Sequence, residues 1–471
     1  SLTLSVISGL SATERFAWVA AALATLPGSG IIYTLTVQEA ERLANFLQSC
    51  GYNVPAYTGQ METADRLLIE QQLRSNQLKA VVATSALGMG YDKPDLGFCL
   101  HVGSPSTPVA YYQQIGRAGR ALEHAEAILL PASSDERIWE YFATANVPNQ
   151  DIADRTLDAL SRQPLSVIDL EASTSIRRGR LEALLRILAV DDAVRKDGSK
   201  WVATGKPWIY DNRKWDALIN ARQQEATIMR NYAHGRGCLM AWLQQALSDP
   251  NPAPCGKCSV CSGRLPEPGL QVDPQLVQQA QQFLRGVDVP VEPRLQWPKG
   301  CSRRGKIQTD LSIRSVAFAD DPGWTEELAR FERSQDRSIP QELLDGAVQL
   351  LKRWKATWHQ RPVAVIPAPA PAHDMVANRQ LAQHIATVGK LPLLDCLTWN
   401  GPACPENLPS APHVQHLERC IRLQPATQLP AGPILLCAAT ARTMWTLNVT
   451  AALLAESGTA GALALVLHRQ P

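Results

Sequence analysis

The chain has 471 residues, 45% of them hydrophobic and 19% charged, with a formal net charge of +2. That length accommodates about three or four domains, and near neutrality excludes a uniformly polycationic surface, so any basic patch must be local. The longest apolar runs fall short of a membrane span, Ser1-Leu2-Thr3-Leu4 is no signal peptide, and eleven cysteines without a secretory signal point to a reducing, cytoplasmic setting where clustered cysteines hold metal.

Residues 1–140 read as one α/β unit. The patterning predicts an amphipathic helix over 13–26, a buried strand at 31–34, a helix over 37–50 closed by Gly51, a strand from 54, a helix over 63–74 and a buried strand at 79–83. Such alternation implies a parallel sheet with right-handed crossovers. The strand at 79–83 feeds Thr84-Ser85 and the turn Leu87-Gly88-Met89-Gly90, and a second strand follows near 97–102. Beyond it stands Tyr111-Tyr112-Gln113-Gln114-Ile115-Gly116-Arg117-Ala118-Gly119-Arg120. Two arginines three apart are expected on one helix face. Small neighbours there let their permanently charged, planar forks approach a triphosphate and grip it bidentately.

VVATSALGMGYDKPD and YYQQIGRAGR resemble motifs V and VI of superfamily 2 helicases, specifically the RecQ family, and residues 1–140 resemble its second RecA-like lobe, with IIYTLT as motif IV. The resemblance implies that Thr36 and Thr84 touch a nucleic-acid backbone. It places Asp92 near the ATP ribose, with Gly90, Gln113 and Gly116 also on the nucleotide side, and turns Arg117 and Arg120 to the γ-phosphate, one as arginine finger. Two positions depart from the family: Gln114 stands where Glu is common, and Tyr57-Thr58-Gly59 replaces Tyr-His-Ala-Gly. The sequence contains no G-x-x-x-x-G-K-[ST] loop, and Asp135-Glu136 follows the arginine motif, the wrong order for a Mg²⁺-holding pair. The expectation is that a first lobe holding ATP and Mg²⁺ lies outside these residues. The alternative is a non-motor protein that keeps a binding role.

Residues 141–208 read as three helices followed by a hairpin around Asp197-Gly198, a winged-helix pattern. From Glu171 to Gly237 there are 13 Lys/Arg against 8 Asp/Glu. Arg177, Arg178, Arg180, Lys196 and Lys200 are therefore candidates to neutralise DNA phosphates, against the plainer reading of a solvated face. In RecQ helicases generally the winged helix follows the zinc module, so the order here departs from the family.

Residues 209–265 carry Cys238, Cys255, Cys258 and Cys261 in the pattern C-x16-C-x2-C-x2-C, the last three in a turn-rich knuckle and Cys238 on a helix. Four thiolates so spaced can close a tetrahedron around Zn²⁺ and leave no open position, which makes the site structural; an iron–sulfur cluster is the alternative. The arrangement also resembles the RecQ zinc-binding module.

After a Pro/Gly-containing linker, residues 272–471 alternate helix and strand again. RPVAVIPAP, GKLPLL and GPILLCAATARTMWTLNVTAALLAESG resemble a phosphoribosyltransferase domain fused to some bacterial RecQ-like helicases. In active members two acidic residues end the strand before the phosphate loop. Here those places hold Ala438 and Ala439, with Met444 where Gly is usual, and alanine can neither accept hydroxyl hydrogen bonds nor help hold Mg²⁺. The expectation is a degenerate domain that keeps the fold, with Thr440, Arg442, Thr443 and Thr446 left to hold a small anion, or else a protein-binding role.

The sequence thus predicts an α/β multidomain chain: a RecA-like parallel-sheet lobe over 1–140, a winged helix over 141–208, a four-cysteine zinc module over 209–265 and a phosphoribosyltransferase-like domain over 272–471. By resemblance it belongs to a bacterial, nucleoid-associated ATP-dependent 3′→5′ DNA helicase that meets single-stranded and forked DNA in repair or recombination. A DNA-binding adaptor and a phosphoribosyltransferase-type nucleotide binder are the alternatives.

Overall fold

Six apolar runs build the first sheet, in a computed structural model that describes residues 1–87, 91–144, 147–174, 176, 178–319, 321–405, 408–425 and 427–470. In chain order these residues form β1 (Leu2–Val6), α1 (Ala12–Ala22), β2 (Ser29–Thr34), α2 (Val37–Ser49), β3 (Ala56–Tyr57), α3 (Thr63–Arg74), β4 (Ala80–Ala83), β5 (Leu96–Val102), α4 (Pro108–Ile115), β6 (Ala125–Leu130) and α5 (Asp135–Thr144). The sheet order is β1-β6-β5-β2-β4-β3, and every pairing is parallel. Every residue of β2, β4 and β5 is buried, as a parallel sheet covered on both faces requires.

Alternate side chains divide the core. Ile31 and Tyr33 of β2 join one cluster with α3 and α4, while Ile32 joins the other with α1 and α2. Local chemistry sets the helix starts. Ser11 and Glu14 form a capping box ahead of α1, Thr36 caps α2, and Thr107 caps α4 with Pro108 in its first turn.

The next elements are α6 (Gln150–Arg162), α7 (Val167–Thr174), α8 (Arg178–Val190) and a hairpin of β7 (Val194–Asp197) with β8 (Lys200–Ala203). They share their own core, which includes Leu160, Leu170, Leu181, Leu185 and Leu188. The chain continues through α9 (Asn212–Ala233), α10 (Leu239–Ala246), the single turn α11 (Ser259–Ser262) and α12 (Pro274–Arg285).

The chain separates into two compact units, residues 1–147 with 211–284, and residues 148–210 with 285–471. The first unit is therefore interrupted by the three-helix segment. Met229, Tyr232, Leu239 and Cys258 pack into the sheet face that carries α3 and α4. The helix expected to open the C-terminal domain, α12, lies instead on the opposite face. Its Ala280 and Leu284 are buried there, and Phe283 meets Phe46 at 5.5 Å between ring centroids.

In the second unit the last stretch supplies β9 (Val289–Val291), β10 (Leu311–Phe318), α13 (Thr325–Arg333), α14 (Gln341–Trp354), β11 (Ala364–Pro367), α15 (Ala372–Gly389), β12 (Leu397–Trp399), α16 (Ser410–Cys420), β13 (Ile421–Leu423), β14 (Ile434–Ala441), α17 (Trp445–Glu456) and β15 (Ala462–Arg469). Its sheet runs β11-β14-β15-β10-β9, parallel except for β9, and β12 pairs with β13 in a separate small ribbon. Among the described residues no helix is long and apolar enough to cross a membrane.

Candidate functional site

The two ends of the first sheet carry different chemistry. Tyr33 of β2 pairs with Ala83 of β4, so the residues that follow emerge side by side at the carboxyl edge, where open parallel sheets place their ligands. Thr36 stands there exposed, and its Oγ1 accepts the Glu39 N–H at 3.2 Å as the cap of α2. Thr84 donates its N–H to Tyr57 O at 3.4 Å, and its Oγ1 accepts the Ala86 N–H at 3.4 Å. In both cases the hydroxyl proton is left to donate outward.

From Thr84 the chain passes to the amino end of β5. Residues 88–90 on this path, Gly90 among them, lie outside the described residues. Lys93 anchors the far end: its buried Nζ donates to Asn76 Oδ1 at 2.8 Å and to Asp95 Oδ1 at 2.6 Å. That contact, with the Asn76 amide, holds the Asp95 carboxyl below its ordinary range.

Arg117 and Arg120 arrive at the same edge, and here the helical expectation is corrected. Helix α4 stops at Ile115 with Gly116 as its cap, and both arginines lie in the turn beyond it. Gly119 takes φ +74°, which glycine adopts without strain, and its N–H donates to Leu96 O at 2.9 Å while the Ala121 N–H donates to Pro94 O at 2.8 Å. The turn is thus stitched to the entry of β5 instead of extending the helix.

Arg117 Nη1 donates to Tyr91 O at 2.7 Å. Among the described residues its Nε is buried without a hydrogen-bond partner, as is the Tyr33 hydroxyl. Arg120 Nη1 meets Asp92 Oδ1 at 3.0 Å, with 54% and 65% of the two side chains exposed. A pair that open to water contributes little, so Arg120 can exchange Asp92 for another anion at small cost. Gln113 and Gly116 are exposed on the last turn and cap of α4.

Beneath α4 lies a buried polar set that sequence reasoning missed. His101 Nε2 and Gln114 Oε1 are 2.9 Å apart, and Cys99 Sγ donates to Gln114 O at 3.3 Å. The His101 ring stacks on Tyr33 at 5.0 Å and meets Tyr111 edge-on at 4.9 Å. Tyr111 in turn takes a 3.3 Å hydrogen bond from the Tyr232 hydroxyl of α9. Burial pushes the His101 pKa down to about 4, against the Gln114 contact, so the ring is neutral near pH 7. The one sequence signal was a histidine inside the apolar strand Leu96–Val102.

Residues 15–122 match the model of the helicase conserved C-terminal domain. The chain is 36% identical over 156 residues to a probable ATP-dependent DNA helicase RecS of Bacillus subtilis, covering 33% of this chain and 32% of that protein. It is 29% identical over 248 residues to an ATP-dependent DNA helicase RecQ of Synechocystis, covering 50% and 49%, and 38% identical over 123 residues to ATP-dependent DNA helicase Q1 of mouse, covering 26% and 19%. Over this stretch the chain is similar to RecQ-type helicases. It spans about half or less of the length of each of these relatives.

The four cysteines come together, with their sulfurs all within 4.8 Å of one another. Cys238 is the cap of α10, not a residue within the helix, and its Sγ accepts the N–H groups of Ala241 at 3.5 Å and Cys255 at 3.2 Å. Cys255 Sγ accepts the Cys258 N–H at 3.3 Å, and Cys258 Sγ accepts the Cys261 N–H at 3.4 Å. Burial works against the Cys238 thiolate, but these amides together with the Cys255 and Cys261 thiols outweigh it and bring the pKa down to about 7. Four converging sulfurs fed by backbone N–H groups form a donor set that fits a tetrahedral Zn²⁺.

On the three-helix segment Arg178 pairs with Glu182 at 2.8 Å along α8. Both line a cleft of about 380 Å³ with Arg186, Lys196, Ser199 and Trp201. Arg186 and Trp201 were missed from sequence, although Arg186 lies eight residues beyond Arg178 and so on the same helix face. Lys200 is exposed on β8 outside the cleft lining, and Arg177 lies outside the described residues.

In the C-terminal sheet Ala438 and Ala439 are buried within β14, which runs on to Ala441. The Ala439 N–H donates to Asn378 Oδ1 at 2.7 Å, and Asn378 Nδ2 donates to Ala368 O at 2.8 Å, so a neutral amide holds the ends of β14 and β11 together. Met444 caps α17 without a side-chain hydrogen bond.

Proposed function

We propose that this chain supplies the second RecA-like lobe and accessory parts of an ATP-dependent 3′→5′ DNA helicase of RecQ type, acting on single-stranded and forked DNA in bacterial repair or recombination, in the cytoplasm at the nucleoid. One observation carries the reading: Thr36 and Thr84 stand at the carboxyl edge of the first sheet, while Arg117 and Arg120 stand at the amino end of β5, with Arg120 on Asp92 at 3.0 Å. ATP with Mg²⁺ sits on the phosphate-cradling loop of a partner first lobe. As the lobes close, Arg120 leaves Asp92 for the γ-phosphate and Arg117 stays anchored on Tyr91 O, and together they stabilise charge on the transferring phosphoryl group. Closure carries Thr36 and Thr84 along the strand, while Asp92, Gln113 and Gly116 face the nucleoside side. The direction, the DNA structure and the repair role follow from the family resemblance.

Zn²⁺ would be held by Cys238, Cys255, Cys258 and Cys261 and would supply no chemistry beyond bracing. The three-helix segment is read as a winged helix whose Arg178, Lys196 and Lys200 meet duplex phosphates. The C-terminal sheet is read as a degenerate phosphoribosyltransferase-like domain. Lacking carboxylates at 438 and 439, it binds a small anion or a protein and does not transfer.

The test is DNA-stimulated ATP hydrolysis by this chain joined to a RecQ-type first lobe. Arg120→Ala lowers kcat by about 10³-fold or more with a smaller change in KM, the effect of losing an arginine finger. Wild-type turnover in both Arg117→Ala and Arg120→Ala would sink the assignment.

A further inference from the structure

The arginine turn is held by hydrogen bonds to its neighbours and by the buried Ala118. It has no helix of its own, and it is tied to β5 by the backbone contacts of Gly119 and Ala121 and by Arg117 on Tyr91 O. Upstream, the last turn of α4 is held from below by Ile115, buried in the core, and by Gln114, which takes a thiol proton from Cys99 on its carbonyl and faces His101 with its side chain. We propose that His101 is a positioning residue for Arg117 and Arg120, its Nε2–H donating to Gln114 Oε1 and fixing the end of α4 over β5. The inference rests on the helicase reading for its consequence, though not for its geometry.

Three features of the site support the assignment. His101 is 1% exposed, so an unused Nε2–H would be a costly orphan in the sheet interior. The ring is clamped between Tyr33 of β2 and Tyr111 of α4, which fixes its plane and leaves Gln114 as its one hydrogen-bond partner; Nδ1 is buried without any. The groups facing the ring are the phenols of Tyr33 and Tyr111 and, on its own strand, the Cys99 thiol. Burial raises the pKa of all three, against the Arg117 guanidinium acting on Tyr33 and Cys99, and neighbouring β6 places Leu129 beside the ring, whose own pKa is set by burial and the Gln114 contact. The contact is therefore a neutral donor–acceptor pair whose direction is set by the tautomer. Because the Arg117 N–H donates to Gln114 O at 3.3 Å, a small rotation of the last turn of α4 is passed on to the arginine turn.

Two measurements separate the pairing from its consequence. In the 471-residue chain, ¹⁵N-detected NMR of the imidazole should report a neutral Nε2–H ring across pH 5.5–8. An Nδ1–H ring, or titration in that window, overturns the pairing. In the chain joined to a RecQ-type first lobe, His101→Phe keeps the ring stack and removes the donor. It should lower DNA-stimulated kcat about tenfold or more with KM for ATP little changed, the signature of misplaced catalytic groups. His101→Gln, whose amide can donate from nearly the same place, should recover most of that loss at a thermal midpoint matching the Phe variant. Equal turnover in His101→Phe and wild type, or equal losses in the Phe and Gln variants, overturns the positioning role. A joined wild-type protein that hydrolyses no ATP would instead count against the helicase reading and leave the NMR result standing.

Discussion

At the residue scale, His101 gives the clearest pH prediction. Its folded pKa, about 4, lies below the ordinary 6.5, because burial disfavours the imidazolium. Between those values the unfolded chain binds the extra proton, so stability is complete above about pH 6.5 and is lost as pH falls toward 4. The loss reaches about 3 kcal/mol for this fully buried group. Chemical denaturation of the first unit at pH 7 and pH 4.5 should show a smaller acid loss in His101→Gln than in wild type. Lys93 makes a second case. Its Nζ is buried and shared between Asn76 and a half-exposed Asp95, so Lys93→Met should cost about 1–3 kcal/mol by stranding the acceptors, measured by the same denaturation.

At the element scale, the sheet tolerates nothing larger than glycine where strand and loop cross. A Cβ on Gly97 would stand 2.0 Å from Pro27 O, a backbone atom that cannot rotate away. Gly97→Ala should therefore cost about 1–3 kcal/mol, read as a lowered thermal midpoint. Much of this level was legible in the sequence. The helix Thr63–Arg74 and the strand Ala80–Ala83 follow from apolar periodicity, and the four cysteines follow from spacing. What escaped depended on distant partners. Leu2–Val6 reads as a strand only because β6 lies beside it, and β10, β12 and β13 are short or irregular in pattern. The arginine turn was read as helix because RAGR is compatible with one. Gly116 and the pairing of Gly119 with Leu96, a residue over twenty positions earlier, decided otherwise. The His101–Gln114 contact and the cleft at Arg186 and Trp201 join residues from separate elements, and the one histidine in an apolar strand does not say which partner it meets.

At the scale of the whole molecule, segment order and spatial grouping diverge. The three-helix segment interrupts the first unit in sequence, and the cysteine knuckle returns to pack beside α4 through Tyr232 and Cys258. A metal held by a cluster so placed would be tied to the lobe. Cys255→Ser, or a strong chelator, should remove bound zinc as read by elemental analysis and lower the thermal midpoint of the first unit, while the second unit's transition stays put. An unchanged midpoint after complete zinc loss would count against a bracing role. The central claim is that this lobe finishes a nucleotide site begun on another lobe, and it is tested most directly by DNA-stimulated ATP hydrolysis of the 471-residue chain, alone and then joined to a RecQ-type first lobe. The account predicts DNA binding without hydrolysis for the chain alone, and hydrolysis once the phosphate-cradling loop is supplied. Robust hydrolysis by the chain alone would contradict it.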